Sequence, residues 1–342
     1  MYAMVIDQPG EAEVLQPREV ETPQPGRHDV LVKTAACGVC YHDLLLRNGT
    51  MKRGVPFPLI VGHEPSGVVE AVGSDVGSVA PGDRVAATQW TGNCGLCRLC
   101  RSSREPLCLQ RKWYGHEVNG AYAEYFVIQE ESVVKVPPEV SLEEASMFSC
   151  AIGTAWHAVR DRGRVQPGET VLVTGAGGGL GVHTIQIAKL CGGRVIAVTG
   201  GPEKAKRLEE LGADEVIVSR EDFSDEVKRR TNGLGVDVVI DNVGGPLFEP
   251  TWRSIGRGGR FVLVGELSSN LIQINTARIF LKGVDIISTT STSRTGLEQV
   301  MEQVRLGNIR PIVTESFPLK EAARVHRMLE ERKSFGRVLL TP

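Results

Sequence analysis

The sequence lacks the features that mark several classes of protein. No apolar run reaches the roughly 18 residues that a membrane-spanning helix requires. The first residues contain no basic segment followed by an apolar one, as a secretory signal would. The net charge is also small, because 39 lysines and arginines face 41 acidic residues and leave −2. This balance provides no field for nucleic acid or an anionic membrane, so we expect a cytoplasmic protein that binds neither.

Internal repeats and low-complexity segments are absent as well. With 342 residues, 41% of them apolar and 23% charged, the chain is long enough to bury two hydrophobic cores. Eight cysteines in a reducing compartment do not form a disulfide framework. Their spacing therefore indicates either metal ligands or buried packing.

A glycine-rich segment stands between a predicted strand and a predicted helix. Residues 170–174 are rich in β-branched side chains, residues 175–181 contain five glycines, and apolar residues at helical spacing follow. Backbone amides in such a turn can approach a pyrophosphate because no Cβ intervenes, and the start of a helix favours an anion. The motif is A-x-G-x-x-G, with Ala176 in the first place, so a plain loop is the alternative on the motif alone.

The context of this turn favours a dinucleotide-binding sheet. Strands alternate with helices after it, and one such helix is expected from Pro202 to Gly212. Six strands in this pattern form a doubly wound parallel sheet of α/β class. The five predicted strands that follow the first cover residues 194–199, 215–218, 236–240, 260–264 and 284–287.

The first 150 residues have a different composition. Short alternating runs are interrupted there by prolines and by Pro-Gly-Asp at residues 81–83, which predicts a β-rich domain. Residues 311–340 follow the sixth strand with another strand, a helix at 319–332 and a final strand, so we expect the chain to return to the first domain. The predicted domains are therefore 1–152 with 294–342, and 153–293.

Four cysteines lie close together in a lobe at residues 92–110. The spacing C-x2-C-x2-C-x7-C, on a loop with little apolar material, predicts a closed tetrahedral zinc site that holds the loop in place. An iron–sulfur cluster is the competing metal site, and four reduced structural cysteines are the other alternative. Four protein ligands leave no position for a substrate, so the site would be structural. The four residues are Cys94, Cys97, Cys100 and Cys108.

Three further candidate ligands, Cys40, His63 and Cys150, are dispersed along the chain. Their spacing alone does not join them, because a single cysteine or histidine is more often packing than ligand. His116 illustrates the difficulty, since it lies in the same Gly-His-Glu tripeptide as His63 but beside a strand-like stretch rich in tyrosine and alanine.

Taken together, the motifs resemble the zinc-containing medium-chain dehydrogenases/reductases, the alcohol dehydrogenase superfamily. The resemblance rests on C-G-V-C-x-x-D, G-H-E-x-x-G, P-G-D-R-V, the four-cysteine lobe, G-A-Y-A-E-Y and the glycine turn, in this order over essentially the whole chain. It implies a GroES-like β-rich catalytic domain and a Rossmann domain with a six-stranded sheet. It also implies a zinc ion with an open position in the cleft beside the nicotinamide, and thus two zinc ions per chain.

The resemblance also assigns roles to residues. Cys40, His63 and Cys150 would bind the catalytic zinc, with Asp43 behind them, and Glu64 would either ligate zinc at times or orient His63. Two thiolates and an imidazole leave a fourth place for water or a substrate oxygen, as Lewis-acid catalysis requires. The expected coenzyme contacts are Gly175, Ala176, Gly178, Gly179, Leu180, Gly181, Thr199, Lys204, Val243 and Gly265.

The chain departs from the family pattern at His42. Members usually carry serine or threonine there, two residues after the first cysteine ligand, and its hydroxyl begins the proton relay from the alcohol. His42 indicates either a histidine acid/base or a reaction that handles no alcohol proton. Cys37 and Cys40 form a C-x-x-C, but a redox pair is disfavoured because no thioredoxin-like βαβ unit surrounds them. Cys191 is expected to be buried packing.

A second departure concerns the coenzyme. NAD-specific members end the second strand of the Rossmann sheet with an acidic residue, whereas this strand ends at Thr199, followed by two glycines, Lys204 and Arg207. Loss of the carboxylate removes repulsion toward a 2′-phosphate, and Lys204 can pair with one. The alternative is that both cations form the solvated face of a helix. We expect NADP(H) to be favoured over NAD(H).

Two functions with a small-molecule substrate remain open. The first is a zinc-dependent oxidoreductase of alcohols, aldehydes or ketones. The second is an NADPH-dependent reductase of activated C=C bonds, because C-Y-x-D-L-L and the stretch at residues 280–284 resemble acryloyl-CoA-reductase-like members. A non-enzymatic binding protein is disfavoured by the intact ligand set and coenzyme turn. The resemblance also implies a homo-oligomer, either a dimer or a tetramer.

Overall fold

The structure, a computed structural model, describes residues 1–268 and 271–342. The described chain divides into two compact units. The first contains Met1–Gly153, Ser291–Gly307 and Val313–Pro342, and the second contains Thr154–Thr290 and Asn308–Ile312. The predicted boundaries assigned 294–342 as a whole to the first domain, whereas residues 308–312 group with the second unit.

The strands and helices follow the chain in this order. The strands are β1 (Tyr2–Val5), β2 (Gln16–Glu19), β3 (Asp29–Val39), β4 (Pro65–Val72), β5 (Arg84–Ala87), β6 (Trp90–Thr91), β7 (Lys112–Trp113), β8 (Tyr125–Gln129), β9 (Val133–Lys135), β10 (Thr170–Val173), β11 (Arg194–Thr199), β12 (Glu215–Val218), β13 (Val236–Asp241), β14 (Ile255–Leu263), β15 (Asp285–Ser288), β16 (Val313–Pro318) and β17 (Arg337–Thr341). The α-helices are α1 (Tyr41–Arg47), α2 (Leu142–Ala145), α3 (Gly153–Trp156), α4 (Gly181–Leu190), α5 (Ala205–Glu210), α6 (Ser224–Arg230), α7 (Phe248–Ser254), α8 (Ala277–Phe280), α9 (Arg294–Arg305) and α10 (Ala322–Glu330).

Strand β3 organises the first unit, whose main sheet has the order β16-β17-β3-β4-β5-β9. One edge of β3 pairs with β4, and the other pairs with β8 along its first half and with β17 along its second. Val30, Val32 and Val39 of β3 are fully buried. The predicted β-rich domain is therefore confirmed, and it includes β16 and β17 from the distant end of the chain.

The second unit contains the predicted six-stranded parallel sheet, in the order β12-β11-β10-β13-β14-β15. Its central strands contain continuous buried apolar runs, as in Val171–Val173, because helices cover both faces of such a sheet. The strand order reverses between β10 and β13, and ligands bind outside the carboxyl ends of strands at such a point. The fifth strand begins at Ile255, earlier than predicted, because Ile255 pairs with Val236 ahead of a register shift.

The predicted helix at 202–212 consists of a 3-10 turn, Pro202–Lys204, followed by α5. The predicted helix at 319–332 likewise begins with a 3-10 turn, Leu319–Glu321, before α10. Within the described ranges, none of the helices combines the length and the apolar character needed to cross a bilayer.

Candidate metal centres and coenzyme site

The four cysteines of the lobe at residues 92–110 converge. Their sulfur atoms all lie within 4.8 Å of one another. The separations are 3.9 Å for Cys94 and Cys100, 3.5 Å for Cys97 and Cys100, and 3.7 Å for Cys94 and Cys108. Sulfur atoms around one tetrahedral zinc ion, with Zn–S bonds of about 2.3 Å, lie about 3.8 Å apart. The geometry therefore fits a single ion and leaves no space for the several irons and sulfides of a cluster.

Backbone amides in this lobe point at the sulfur atoms. Cys97 N–H donates to Cys94 Sγ at 3.3 Å, and Cys94 N–H donates to Cys108 Sγ at 3.5 Å. Burial opposes ionisation of Cys108, but the amides of Cys94 and Gln110 outweigh it and lower the pKa of this thiol to about 6. Hydrogen bonds thus favour a thiolate at Cys108, whereas burial and the neighbouring thiols raise the pKa of Cys100 to about 12.

The dispersed candidates also converge, although three different segments carry them. Cys40 immediately precedes α1, His63 and Glu64 precede β4, and Cys150 lies in a π-helical turn, Phe148–Ile152. Their ligand atoms all lie within 4.8 Å of one another, and all four side chains are buried. Cys40 Sγ is 3.9 Å from Cys150 Sγ, again close to the spacing in a tetrahedral site.

Asp43 fixes the orientation of His63. His63 Nδ1 lies 2.9 Å from Asp43 Oδ1, and Asp43 Oδ2 accepts a hydrogen bond from Cys40 N–H at 2.9 Å. Burial lowers the pKa of His63, but Asp43 outweighs it and raises this pKa well above its ordinary value. With Nδ1–H donated to the carboxylate, Nε2 is left as the atom for a metal ion. Asp43 thus lies at hydrogen-bond distance from Nδ1, whereas Glu64 lies 3.8 Å from Nε2.

Glu64 is a fully buried carboxylate whose two oxygens accept no hydrogen bond. Its Oε1 lies 3.8 Å from His63 Nε2 and 2.9 Å from Arg337 Nη2, at ion-pair distance but without hydrogen-bond geometry. Burial raises the pKa of Glu64 to about 7, although Arg337 opposes the shift. Gly38 in β3 makes room for the carboxylate, since a Cβ there would lie 2.5 Å from Oε2. A buried carboxylate without hydrogen bonds beside three ligand side chains fits a neighbouring metal ion.

Arg337 is the residue of this site that sequence reasoning missed. It lies at the start of β17, where Val338 pairs with Val39, and its Nη1–H donates to Val39 O at 3.1 Å. Nη2 is 3.7 Å from Cys150 Sγ. Burial opposes its charge, yet Glu64 raises its pKa further above the ordinary value. The sequence did contain one signal, since a charged residue begins a largely apolar strand. A buried cation requires a partner, so such a residue indicates a charge pair.

The pKa values of Cys40 and Cys150, the two thiols of this set, depend on each other. A hydrogen bond with Cys150 lowers the pKa of Cys40 well below its ordinary value, and the same contact raises the pKa of Cys150. One thiolate thus stabilises its neighbour as a thiol, whereas a divalent cation would favour two thiolates. Cys37 lies in β3 outside this ligand set and forms no disulfide with the other cysteines of the described chain. Burial raises its pKa well above the ordinary value. A buried thiol of that kind is a poor redox nucleophile.

His42 lies half-buried against the ligand set. Its ring centroid is 5.2 Å from that of His63, 5.3 Å from that of His116 and 6.1 Å from that of Trp113. Burial, together with His63, lowers the pKa of His42 to about 4, which leaves its imidazole neutral. His116 is not one of the grouped ligands, and its Nε2 lies 2.9 Å from Arg53 O.

The glycine turn in the second unit joins β10 to α4. Gly175 has φ of +58°, and Gly178 N–H donates to Gly175 O at 3.0 Å. Gly181 has no room for a side chain, because a Cβ would overlap Gly175 O. Ala176 N–H donates to Val198 O at 3.0 Å, which fixes the turn to β11. Leu180 and Gly179 complete the turn before α4, and Gly179 O lies 2.7 Å from His183 Nδ1.

Residues after three neighbouring strands lie beside this turn. Val243, which follows β13, approaches Gly175, where a Cβ would lie 3.0 Å from its Cγ2. Gly265, which follows β14, donates its N–H to Asp241 O at 3.2 Å. Thr199 ends β11 and is 5% exposed, and Lys204 covers Gly177, where a Cβ would lie 2.6 Å from Lys204 Cδ.

Arg220 was not anticipated at this edge of the sheet. It follows β12, and its Nε–H donates to Gly200 O at 3.0 Å, directly after Thr199. Glu203 folds back onto Gly201 and brings a carboxylate to the same region. Lys204, Arg220 and Glu203 therefore surround the end of β11, whereas Arg207 belongs to α5. Acidic residues near a strand end are signals for ribose recognition, but Glu203 lies four residues past Thr199.

Comparisons with known proteins agree over the whole chain. Residues 26–138 match the alcohol dehydrogenase GroES-like domain, and residues 179–305 match the zinc-binding dehydrogenase family. The acryloyl-coenzyme A reductase of Metallosphaera sedula is 36% identical over 342 residues, covering 100% of both chains. An alcohol dehydrogenase of Geobacillus stearothermophilus is 37% identical over 341 residues, covering 99% of both. The crystal structure of AibC has 43% identity and a TM-score of 0.92, and covers 100% of this chain and 96% of that one.

Proposed function

This chain belongs to the zinc-containing medium-chain dehydrogenases/reductases, the alcohol dehydrogenase superfamily, and as such is an NAD(P)-dependent oxidoreductase; within that family we propose that it interconverts an alcohol with an aldehyde or ketone. We propose one catalytic and one structural zinc ion per chain. The observation that carries the proposal is the convergence of Cys40, His63 and Cys150, a group in which Glu64 is the fourth side chain and, among the described residues, no further cysteine or histidine takes part. Such a donor set suits a site that binds a substrate oxygen.

The residues around the Cys40, His63 and Cys150 set have different roles. Zinc, when bound, supplies a Lewis acid that stabilises negative charge on oxygen, and the nicotinamide supplies or accepts the hydride. Asp43 holds His63 in the tautomer that leaves Nε2 for the metal, and Arg337 balances the charge of Glu64. Two thiolates and a carboxylate would otherwise accumulate negative charge, so we assign to Arg337 the role of limiting it.

His42 takes the place of the family hydroxyl in this proposal. Its neutral imidazole can accept a hydrogen bond from an alcohol and pass the proton toward solvent, which its half-buried position allows. The experiment is a comparison of the wild type, His42→Ala and His42→Ser with a primary alcohol, a ketone and an enoyl thioester. His42→Ala should lower kcat for alcohol oxidation by about a hundredfold to ten-thousandfold, and His42→Ser should restore part of it.

Reduction of an activated C=C bond is the second candidate. It is favoured by the similarity to the acryloyl-coenzyme A reductase of Metallosphaera sedula. It is also favoured because the chain carries His42 in place of a residue with a hydroxyl side chain. Hydride would go to the β-carbon and the proton to the α-carbon, which need not lie near His42. Enoyl reduction that dominates in the wild type and survives His42→Ala would establish this candidate and overturn the alcohol proposal.

We propose that NADP(H) is the favoured coenzyme. The end of β11 carries no acidic residue, and Lys204 covers the glycine turn at Gly177. Arg220 adds a second cation beside Gly200, whereas Glu203 opposes them with one negative charge. The balance favours a 2′-phosphate over a free ribose hydroxyl.

We propose further that the protein is a cytoplasmic homo-oligomer. The eight cysteines, all among the described residues, form no disulfide with one another, as expected in a reducing compartment. Strand β15 lies at the edge of the six-stranded sheet and exposes Ile286, while α8 and the residue after it expose Phe280 and Leu281. An apolar edge strand pairs readily with a copy of itself, which supports a dimer as the basic unit.

A further inference from the structure

A line of buried polar side chains leads from His63 away from the metal-ligand set. His63 Nδ1 is 2.9 Å from Asp43 Oδ1, Tyr122 Oη donates to Asp43 Oδ2 at 3.3 Å, and His326 Nε2 is 3.4 Å from Tyr122 Oη. Asp43, Tyr122 and His326 have no exposed surface. Polar groups are costly to bury unless they are hydrogen-bonded, and in this line each side chain contacts the next.

We propose that Tyr122 is a positioning residue for the metal ligand His63, acting through Asp43, and that His326 fixes the Tyr122 hydroxyl in the required orientation. The proposal rests on the proposed function only in requiring a metal ion at Cys40, His63 and Cys150. Neither Tyr122 nor His326 touches the ligand atoms themselves, so their effect is on the affinity of the site for metal.

The direction of each hydrogen bond follows from the donors available. The Asp43 carboxylate accepts only, so Tyr122 Oη–H must point at it, and the lone pair of Oη then accepts His326 Nε2–H. This assignment leaves His326 Nδ1 unprotonated, and that atom is buried without a hydrogen-bond partner. Burial lowers the pKa of His326 to about 3, which agrees with a neutral ring.

Two donors contact Oδ2 of the Asp43 carboxylate and restrain its plane. Cys40 N–H supplies one at 2.9 Å and Tyr122 supplies the other. Without the tyrosine hydroxyl, Oδ2 keeps only the Cys40 N–H, so the carboxylate is less restrained from turning about its bond to Cβ and Oδ1 is held less firmly in line with His63. The orientation of the imidazole would then be less restricted, and part of the binding free energy would be lost in ordering it.

Tyr122 is itself fixed to the segment that carries His63. Its backbone N–H donates to Val61 O at 3.0 Å, and Ala121 N–H donates to Gly62 O at 2.9 Å. The Tyr122 ring covers Gly62, where a Cβ would overlap ring carbons, and Gly62 has φ of +99°. The tyrosine therefore contacts the residue before His63 through both its main chain and its ring.

The far end of the line is also anchored. His326 lies in α10, and its ring packs edge-on against Tyr122 with centroids 5.9 Å apart. Arg47 of α1, fully buried, forms an ion pair with Glu330 of α10. This pair joins α10 to the helix that contains Asp43, so His326 keeps its position relative to Asp43.

The test is the rate at which a chelator removes zinc from the holoenzyme, recorded for the wild type and Tyr122→Phe. Zinc should leave the two ligand sets in two kinetic phases, and release from the four-cysteine lobe provides an internal reference. Each of the variants Cys97→Ser and Cys150→Ser lacks one phase, which shows which phase belongs to which ligand set. Release from the Cys40, His63 and Cys150 set should accelerate about twofold to tenfold in Tyr122→Phe, while release from the lobe is unchanged. Asp43→Asn, which removes the direct partner of His63, should accelerate it about tenfold to a hundredfold.

Tyr114→Phe is the matched control, because Tyr114 is buried in the same core and packs on Phe126 at 6.0 Å. It should leave both phases unchanged. His326→Leu should accelerate the same phase as Tyr122→Phe, and the double variant should be no faster than Tyr122→Phe alone. His326→Gln keeps a donor N–H and should restore the wild-type rate.

The outcomes separate the hypotheses. Equal acceleration of both phases in Tyr122→Phe would show a general loss of packing and overturn the proposal. An unchanged rate in Tyr122→Phe, with a faster one in Asp43→Asn, would also overturn it. A wild type that holds zinc in the lobe alone would instead contradict the proposed function.

Discussion

Arg337 Nη2 lies 2.9 Å from Glu64 Oε1, so two residues distant in sequence form a charge pair in the interior of the first unit. The arginine also donates to Val39 O, while the glutamate accepts no hydrogen bond. Breaking a buried pair is more costly than the pair is worth, because the remaining charge loses its partner. Glu64 therefore depends on Arg337 for a counter-charge in the interior of the first unit.

Arg337→Met tests this dependence. The substitution leaves Glu64 without its cation, and the free energy of unfolding, measured in urea, should fall by about 3 kcal/mol. Glu64→Gln combined with Arg337→Met should be more stable than Arg337→Met alone, because no buried charge remains. Equal destabilisation in the single and double variants would assign the loss to packing of the arginine stem.

Metal analysis of two cysteine variants tests the two sites separately. Zinc content should fall from two ions to one per chain in both Cys97→Ser and Cys150→Ser, since each removes a ligand from a different set. Thermal stability should fall mainly in Cys97→Ser, because the lobe has little apolar core of its own, and activity should fall mainly in Cys150→Ser. A fully active wild type without zinc would contradict both assignments.

Thr199→Asp should reduce the preference for NADP(H), because a carboxylate at the end of β11 repels the 2′-phosphate. The ratio of dissociation constants for NADPH and NADH, measured by fluorescence titration, should change by about tenfold to a hundredfold. Arg220→Ala should weaken the binding of NADPH but not of NADH. Arg229 is an exposed arginine on α6, so Arg229→Ala should change the binding of neither coenzyme. A wild type that binds NADH more tightly would show that Glu203 outweighs the two cations.

His326 should make the protein sensitive to acid. Burial lowers its pKa from 6.5 to about 3, with Asp43 opposing the shift and Arg47 supporting it, while Tyr122 faces the ring. Between these values the unfolded chain binds a proton that the folded chain does not, so stability falls as the pH falls below 6.5. The loss of unfolding free energy from pH 7 to pH 5 should be about 2 kcal/mol smaller in His326→Gln than in the wild type.

His28→Gln serves as the control for this titration, because His28 is exposed at the surface of the same unit. Denaturant unfolding at pH 5, 6 and 7 provides the measurement. A pH dependence in His326→Gln as steep as that of the wild type would show that another group causes the sensitivity.

Ile286→Asp should dissociate the oligomer. Ile286 is 41% exposed on edge strand β15, and a charge there opposes pairing with a second copy. Val218→Asp is the matched control, because Val218 is 45% exposed on β12 at the opposite edge of the same sheet. Sedimentation analysis should show smaller particles for Ile286→Asp only. Dissociation by Val218→Asp alone would place the interface at the other edge.

The extent of sequence prediction follows from how far apart the interacting residues are. The lobe and the glycine turn are local in sequence. The spacing of the cysteines therefore predicted that the four between Cys94 and Cys108 lie together, and periodicity predicted the strand, turn and helix around Gly175. Cys40, His63 and Cys150 were joined through a family resemblance, because spacing alone does not show which dispersed residues meet. Tyr122 and His326 gave no signal, since the aromatic motif and the C-terminal helix become neighbours only in the folded first unit.

Long-range contacts of arginine side chains were the least predictable feature for the same reason. Arg337 reaches Glu64 only because β17 pairs with β3, and Arg220 reaches Gly200 only because β12 pairs with β11. A sequence pattern indicates that a cation in an apolar strand requires a partner, but it does not identify the partner.

The pairing of β17 with β3 bears on the order in which a nascent chain could acquire its metals. All four cysteines of the lobe have been synthesised once residue 108 is added, and they need no distant strand. The other ligand set includes Cys150, and the cation that balances Glu64 is synthesised only when residue 337 is added. A growing chain can therefore load its lobe during translation, whereas Glu64 lacks its counter-charge until β17 has been made. Ribosome-bound chains that extend well past the lobe should accordingly retain one zinc ion, and the second should be retained firmly only once residue 337 has left the ribosome.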